Sequence, residues 1–317
     1  MKEPKTLQEA ILHFSNPDVC LEYMVSRQWP NGIICPVCAR PEPTFLKNQR
    51  KWQCKSVHPK RQFSAKTGTI FEDSPIGLEK WLPAMWLVTN AKNGISSYEV
   101  ARALDVTQKT AWFMLHRIRL AMKSDSSLKL GFNGGPVEMD ETFIGGKIKN
   151  VHKSKKVNAG KRGTVGKAIV VGMLERNGRV RAQVVKERTQ AALRIVANKH
   201  VHPGAKLITD EFGGYVGINF ERAVVNHAVE YVNGQIHTQG IENFWALLKR
   251  SLGGTYISVE PFHLDRYIDE QAYRFNNRAT KDNPLTDLDR FIGVLAQISG
   301  KRLTYAELTG KAGAAAV

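Results

Sequence analysis

Three acidic residues, Asp140, Asp210 and Glu242, occupy settings where a carboxylate is costly unless something compensates it. Asp140 lies in Val137-Glu-Met-Asp-Glu-Thr-Phe-Ile, whose apolar residues mark an inner strand. A charge placed there calls for a counter-charge, and a bound cation is the usual one. Asp210 closes a second short apolar run, Leu207-Ile-Thr, so a strand delivers it at its carboxyl end, where α/β sheets bind ligands. Glu242 falls in the first turn of an amphipathic helix with the stripe Ile241, Phe244, Trp245 and Leu248, and Lys249 lies two turns on along roughly one face. One such acid alone reads as a cap or turn residue. Three in this order could hold two Mg²⁺ (or Mn²⁺) ions about 3.5–4 Å apart, one activating an attacking oxygen and one stabilising a leaving oxygen. Glu138 and Glu141 are rivals on the first strand, and Glu138 shares the Asp140 face by the two-residue period.

A second cluster has soft ligands. Cys35-Pro-Val-Cys38 has the spacing of a zinc knuckle, and Cys54 follows at the interval between the two ligand pairs of a zinc ribbon. Where a second CxxC is expected, the chain reads Cys54-Lys-Ser-Val-His58, and a neutral imidazole completes a tetrahedral Cys3His site for structural Zn²⁺. Cys20 competes for that fourth position, although its helical apolar stripe suits a small buried hydrophobe. The other reading is a degenerate ribbon that folds without metal.

Residues 94–119 read as helix, turn, helix. Val100, Ala101 and Leu104 face inward from the first helix, Val106 plugs the turn, and Thr107 caps the second. Gln108, Lys109 and Thr110, at the start of the second helix, are placed to reach base edges and phosphates, and Arg117 and Arg119 to touch the backbone. The plain alternative is an αα-hairpin that packs on the rest of the protein.

Composition agrees with a nucleic-acid partner. The 317-residue chain carries a formal charge of +17, and its pI is near 9.8. Such a balance suits a polyanion, whose condensed counterions are released on binding. The first residues lack the apolar core of a secretion signal, and no apolar run is long enough to span a bilayer. With clustered cysteines, the expectation is a soluble cytoplasmic protein associated with the nucleoid, with no membrane partner.

The elements that must position these groups follow from the pattern. Helices are expected over 1–28, with Asn16-Pro17 starting the second, then a ribbon over 29–73 and a helix-turn-helix domain over 74–124. Ser124 to Pro136 is the best linker. Beyond it, strands are expected at 137–144, 168–174 and 180–185, the last two joined at Asn177-Gly178, with a helix from Thr189 to about His200. A further strand is expected over 224–232 and a helix over 238–252. The fold class is therefore α/β, with a mixed-sheet catalytic domain over 134–290 and a C-terminal extension over 291–317.

Several of these segments together resemble the insertion-sequence transposases of the DDE class, in particular the family designated fifteen-ninety-five. They are Thr67-Gly-Thr-Ile-Phe, Met139-Asp-Glu-Thr-Phe-Ile-Gly-Gly, Thr209-Asp-Glu, His237-Thr-Gln-Gly-Ile-Glu-Asn-Phe-Trp-Ala-Leu-Leu-Lys-Arg and Tyr267-Ile-Asp-Glu-Gln-Ala-Tyr-Arg-Phe-Asn-Asn-Arg. The resemblance covers nearly the whole chain, from Trp29 to about Arg278. It implies an RNase H-like catalytic core behind a zinc ribbon, with Asp140, Asp210 and Glu242 as metal ligands, the adjacent Asn243 being the alternative third ligand because the family varies between Glu and Asn there, and Lys249 as a contact to the transposon end. His237 either touches the scissile phosphate, positions Glu242 or is a turn histidine. The implied activity is binding of terminal inverted repeats, Mg-dependent phosphodiester hydrolysis and strand transfer on double-stranded DNA, by a homodimer or larger assembly. The basic stretch from Gly145 to Lys167 is either a phosphate contact or a solvated loop. Rival readings are a domesticated DNA-binding regulator and a nuclease or resolvase that cuts without joining.

Overall fold

The computed structural model describes residues 3–124, 126–146, 166–225 and 238–311. The chain divides into two compact units, one formed by residues 1–123 with 279–317 and the other by 124–278.

In the first unit, helix α1 (Leu7–His13) opens with a capping box of Thr6 and Glu9, and α2 (Pro17–Gln28) opens with Asn16 accepting from the Asp18 backbone. Three short antiparallel strands follow, β1 (Thr44–Leu46), β2 (Lys51–Gln53) and β3 (Gln62–Phe63). Trp52 packs on Phe63 between them, with ring centroids 6.0 Å apart. Helix α3 (Leu78–Asn90) buries Trp81, Leu82, Met85 and Trp86. A helix apolar nearly all round belongs in a core. Helices α4 (Ser97–Leu104) and α5 (Gln108–Met122) are the expected pair, joined through Asp105 in the left-handed region and capped by Ser96 and Thr107.

The end of the chain returns to this unit. Helix α9 (Asp287–Leu295) sets Phe291 against Trp86 and Phe14, and Ile70 N–H donates to the Ile298 carbonyl at 3.0 Å. The expectation that 134–290 forms one domain and 291–317 an extension is thus corrected. Phe291 and Ile298 are core residues of the N-terminal unit, and the second unit stops at Arg278.

The second unit is built on a five-stranded mixed sheet of β4 (Val137–Ile144), β5 (Ala168–Glu175), β6 (Val180–Val185), β7 (Leu207–Thr209) and β8 (Arg222–Val224). Their order is β6-β5-β4-β7-β8. The first three are antiparallel neighbours, while β7 pairs parallel to both β4 and β8. Asn177, in the left-handed region at φ 59°, makes the β5–β6 turn. This α/β sheet, an antiparallel meander continued by two parallel strands, is that of an RNase H-like core. Of the strand expected over 224–232, the described residues include Arg222–Val224, and residues 226–237 lie outside the described residues.

Alternation along β4 divides two cores. Val137 and Met139 pack with Leu193, Val196 and Ala197 of helix α6 (Gln190–His200), which Thr189 caps. The opposite face of the sheet meets α7 (Gln239–Gly254) and α8 (Leu264–Asn276) through Leu174, Ile241, Phe244, Trp245 and Ile268. The linker expected over Ser124–Pro136 is partly built in. Leu130 is buried against β4, and its backbone bonds His200 and His202.

Candidate active site

Asp140 and Asp210 come together because β4 and β7 are parallel neighbours. Carboxylate oxygens of Asp140, Glu141 and Asp210 all lie within 4.8 Å of one another. Burial pushes Asp140 up to about 6, and the nearby Glu141 and Asp210 charges add to the rise. The Trp245 indole opposes it, donating to Asp140 Oδ2 at 2.9 Å. Asp210 follows the last residue of β7, where its Oδ1 accepts the Phe212 N–H at 3.0 Å. Arg222 braces the same strand end by donating to Thr209 Oγ1 and to the Asp210 carbonyl. Three crowded hard oxygen donors, two of them (Asp140 and Glu141) held against ionisation by burial, are a donor set that fits a divalent cation.

Glu141 points to the other face of β4 from Asp140. It forms an ion pair with Arg188 and accepts the Tyr215 hydroxyl, and burial raises both the carboxyl and the phenol. Arg188 in turn lies 3.3 Å from the Phe212 ring centroid, on the residue that binds Asp210. Glu138 is not in the acidic cluster. Its buried carboxylate accepts the Ile241 N–H at 2.9 Å in the first turn of α7, where the helix dipole favours negative charge, and Arg176 lies 3.4 Å away. Gly240 permits this approach, since a Cβ there would stand 2.8 Å from Glu138 Oε2.

Glu242 is exposed on α7 beside Ile241, with its Oε1 accepting the Thr238 hydroxyl at 2.9 Å. Among the described residues it lies outside the acidic cluster. Ile241 and Trp245 bind the β4 carboxylates, so Glu242 stands at the rim of the face that meets them. Lys249 is exposed two turns further along. His237 and most of the basic stretch, residues 147–165, fall outside the described residues.

The sulfur cluster forms in the first unit. Ligand atoms of Cys35, Cys38, Cys54 and His58 lie within 4.8 Å of one another, with Cys38 Sγ 3.5 Å from Cys54 Sγ and Cys35 Sγ 3.4 Å from His58 Nε2. Two knuckles brought to one point make a four-ligand Cys3His set, the donor number and type that zinc takes in structural sites. The Arg40 backbone N–H holds the Cys38 thiol down at about 7. Cys20 is excluded as the fourth ligand. It is fully buried, donates to the Phe14 carbonyl, and burial pushes it up to about 12.

The expected DNA-reading helix divides. Lys109 is exposed, with its Nζ 4.9 Å from the Tyr305 ring centroid, whereas Gln108 and Thr110 are half-buried and bonded to Ser97 and Thr107. Arg117 corrects its expectation. It is 5% exposed, and its guanidinium donates to the carbonyls of Ile70, Glu72 and Leu303. A cation committed to three backbone carbonyls holds the unit together and does not reach phosphate. Arg119 is buried as well.

A paired-acid site at adjoining strand ends of an RNase H-like sheet defines a polynucleotidyl transferase of the DDE type. Residues 133–276 match the ISXO2-like transposase domain, and residues 15–56 match the transposase zinc-ribbon domain. The chain thus carries both a transposase domain and a transposase zinc ribbon of the insertion-sequence type designated fifteen-ninety-five. A Halobacterium salinarum protein described as an uncharacterized protein in transposable element ISH50 is 27% identical over 241 residues, covering 71% of this chain and 79% of that one. Among solved structures, the catalytic core domain of BIV integrase aligns with 17% identity over 50% of this chain and 93% of that one, at a TM-score of 0.32. No helix among the described residues is long and apolar enough to cross a membrane.

Proposed function

We propose that this transposase binds the terminal inverted repeats of its element, cleaves a phosphodiester there with Mg²⁺, and joins the freed 3′-hydroxyl to target DNA. The observation that carries the reading is the convergence of Asp140 and Asp210 from separate strands to within one cation's reach. Divalent cations bound at this centre supply positive charge to the attacking and leaving oxygens. Asp140 and Asp210 fix where that charge sits, and α7, fastened to β4 through Ile241 and Trp245, carries Glu242 as the third carboxylate. Lys249 follows on the same helix for the transposon end, and His237 acts at the scissile phosphate or on Glu242. Exposed Lys109 with Gln108 and Thr110, together with the zinc ribbon, supply the grip on double-stranded DNA. Two ends must be held at once, so the working form is a homodimer or larger assembly on DNA, in the cytoplasm at the nucleoid.

A second reading of the third ligand rests on Glu141, which shares the cluster. Its prior engagement by Arg188 and Tyr215 favours Glu242. The test is a strand-transfer assay with duplexes taken from the element ends. Asp140→Asn and Asp210→Asn should each abolish cleavage and joining, Glu242→Gln should do the same, and Glu141→Gln should retain measurable product. Cleavage without a joined product supports a nuclease or resolvase instead. Undiminished transposition by Asp210→Asn supports a DNA-binding regulator.

A further inference from the structure

The loop between α7 and α8 holds an apolar side chain in the open at a conformational cost. Ser258 N–H donates to the Tyr256 carbonyl at 2.6 Å, closing a three-residue turn around Ile257, whose φ is 61°. Three-residue turns with positive φ at the centre are the rare, strained kind. A β-branched residue in that region is an outlier. Ile257 gains no burial in return, being 82% exposed.

The turn is not slack. On one side Tyr256 donates its hydroxyl to the buried Glu270 and meets the Tyr267 ring edge-on at 4.7 Å between centroids. On the other side Val259 packs on the apolar cluster beneath α7 and α8. Both anchors force Ile257 outward. Phe262, at the foot of α8, is 67% exposed. Helix α7 brings exposed Lys249 and Arg250 towards this end, and a Cβ on Gly253 or Gly254 would meet no atom within 4 Å.

Strain with no local return points to a role outside the fold. Two apolar side chains fall far short of the roughly 800 Å² per partner that a stable protein interface needs. Lys249 and Arg250 on α7, two exposed cations against the one exposed acid Glu260 of the loop, instead match a polyanion, and isoleucine and phenylalanine are side chains that DNA-bending proteins drive between base steps. We infer that Ile257 is a wedge that enters the minor groove of bound element-end DNA and unstacks one base step, with Lys249 and Arg250 on neighbouring phosphates. The 16-residue α7 is about 24 Å long. Glu242 lies in its first turn and Ile257 just beyond its last, so the affected step is set away from the cut. This inference rests on the DNA-binding reading above.

The experiment uses the full chain, duplexes cut from the DNA flanking its gene, and one 2-aminopurine placed at successive positions. Ca²⁺ replaces Mg²⁺ so that unstacking is read without turnover. Anisotropy follows binding, and fluorescence follows unstacking. The expected result is a several-fold brightening confined to one step. Ile257→Gly should abolish it while leaving the thermal midpoint equal or higher, because glycine adopts positive φ freely. Binding with no brightening at any position, or brightening that survives Ile257→Gly, overturns the wedge and leaves the DNA-binding reading standing. Loss of self-association in Ile257→Gly with unchanged brightening assigns the residue to a contact between copies and also overturns the wedge. Absence of any binding removes both.

Discussion

The indole N–H of Trp245 donates to Oδ2 of Asp140 at 2.9 Å, joining the helix that bears Glu242 to the strand that bears the first acid. A buried tryptophan needs a partner for its N–H, and here the partner is the carboxylate that burial discourages from ionising. The bond therefore favours the charged form of Asp140 and fixes the orientation of its second oxygen.

Trp245→Phe keeps a ring in the apolar pocket and removes that donor. A hydrogen bond to a charged group contributes about 1.5–3 kcal/mol, so cation affinity should fall about tenfold or more. The half-saturating Mg²⁺ concentration for cleavage should rise, with much of the rate recovered at high Mg²⁺. An unchanged Mg²⁺ dependence would remove the role assigned to the indole.

Asp140 also sets a pH signature on stability in the absence of metal. Its carboxyl moves from 3.8 up to about 6 in the folded chain. Between those values the native state binds more protons than the unfolded one, so stability falls as pH rises through the window. Above it the buried charge is a standing cost, and Asp140→Asn should raise metal-free stability at pH 7 by about 1–3 kcal/mol. Calorimetry with and without Mg²⁺ checks this. Mg²⁺ should raise the wild-type midpoint and leave the variant nearly unmoved.

His200 gives the opposite slope. Burial, with Arg181 and nearby lysines, holds its imidazole down at about 4 instead of 6.5. Its Nε2–H is positioned to donate to Gln183 Oε1 at 2.9 Å, and Nδ1 to accept from Arg181. Because the unfolded chain takes up a proton that the folded chain resists, stability should drop as pH falls from about 6.5 to about 4. Asp140 slopes the other way over most of that interval, so His200→Gln alone should leave a midpoint that falls as pH rises, and His200→Gln combined with Asp140→Asn should flatten it in a pH series.

For the ribbon, His58→Ala and Cys38→Ser should each lower bound zinc well below one per chain, and Cys20→Ala should leave it unchanged. Metal analysis after dialysis reads this directly. Chelation should loosen the three-stranded ribbon, because a segment so small and polar takes its folding free energy from the metal.

Much of the site was legible because local patterns mark it. Asp140 and Asp210 interrupt or end apolar runs, and the Cys3His spacing survives the loss of the second CxxC. What was hidden depends on distant returns of the chain. Arg117 reads as an exposed helix residue by periodicity, but the segment around Leu303 comes back to meet it, and nothing local to 94–119 announces that. Glu138 lies on the Asp140 face, as the two-residue period predicts, yet its partner is a backbone N–H of a helix far along the sequence. Glu141 is similar, since Arg188 and Tyr215 reach it from separate elements.

Gly172 lies opposite Asp140 in the β4–β5 register. A Cβ there would stand 2.5 Å from Cη2 and 2.6 Å from Cζ2 of Trp245, and 2.9 Å from the Ile241 Cδ1. None of these atoms ends a long flexible chain, so Gly172→Ala must push the indole off the sheet. Overpacking of this kind costs about 1–3 kcal/mol. The displaced ring is the one that binds Asp140, and Ile241 is the residue whose N–H binds Glu138, so cleavage should fall further than stability. Gly253→Ala on the same helix meets no atom and should be neutral or stabilising by up to about 1 kcal/mol. Thermal melts and a cleavage assay on both variants separate a lost site from a lost fold. A Gly172→Ala enzyme that melts lower yet cleaves at the wild-type rate would mean that the Trp245 contact does not position Asp140.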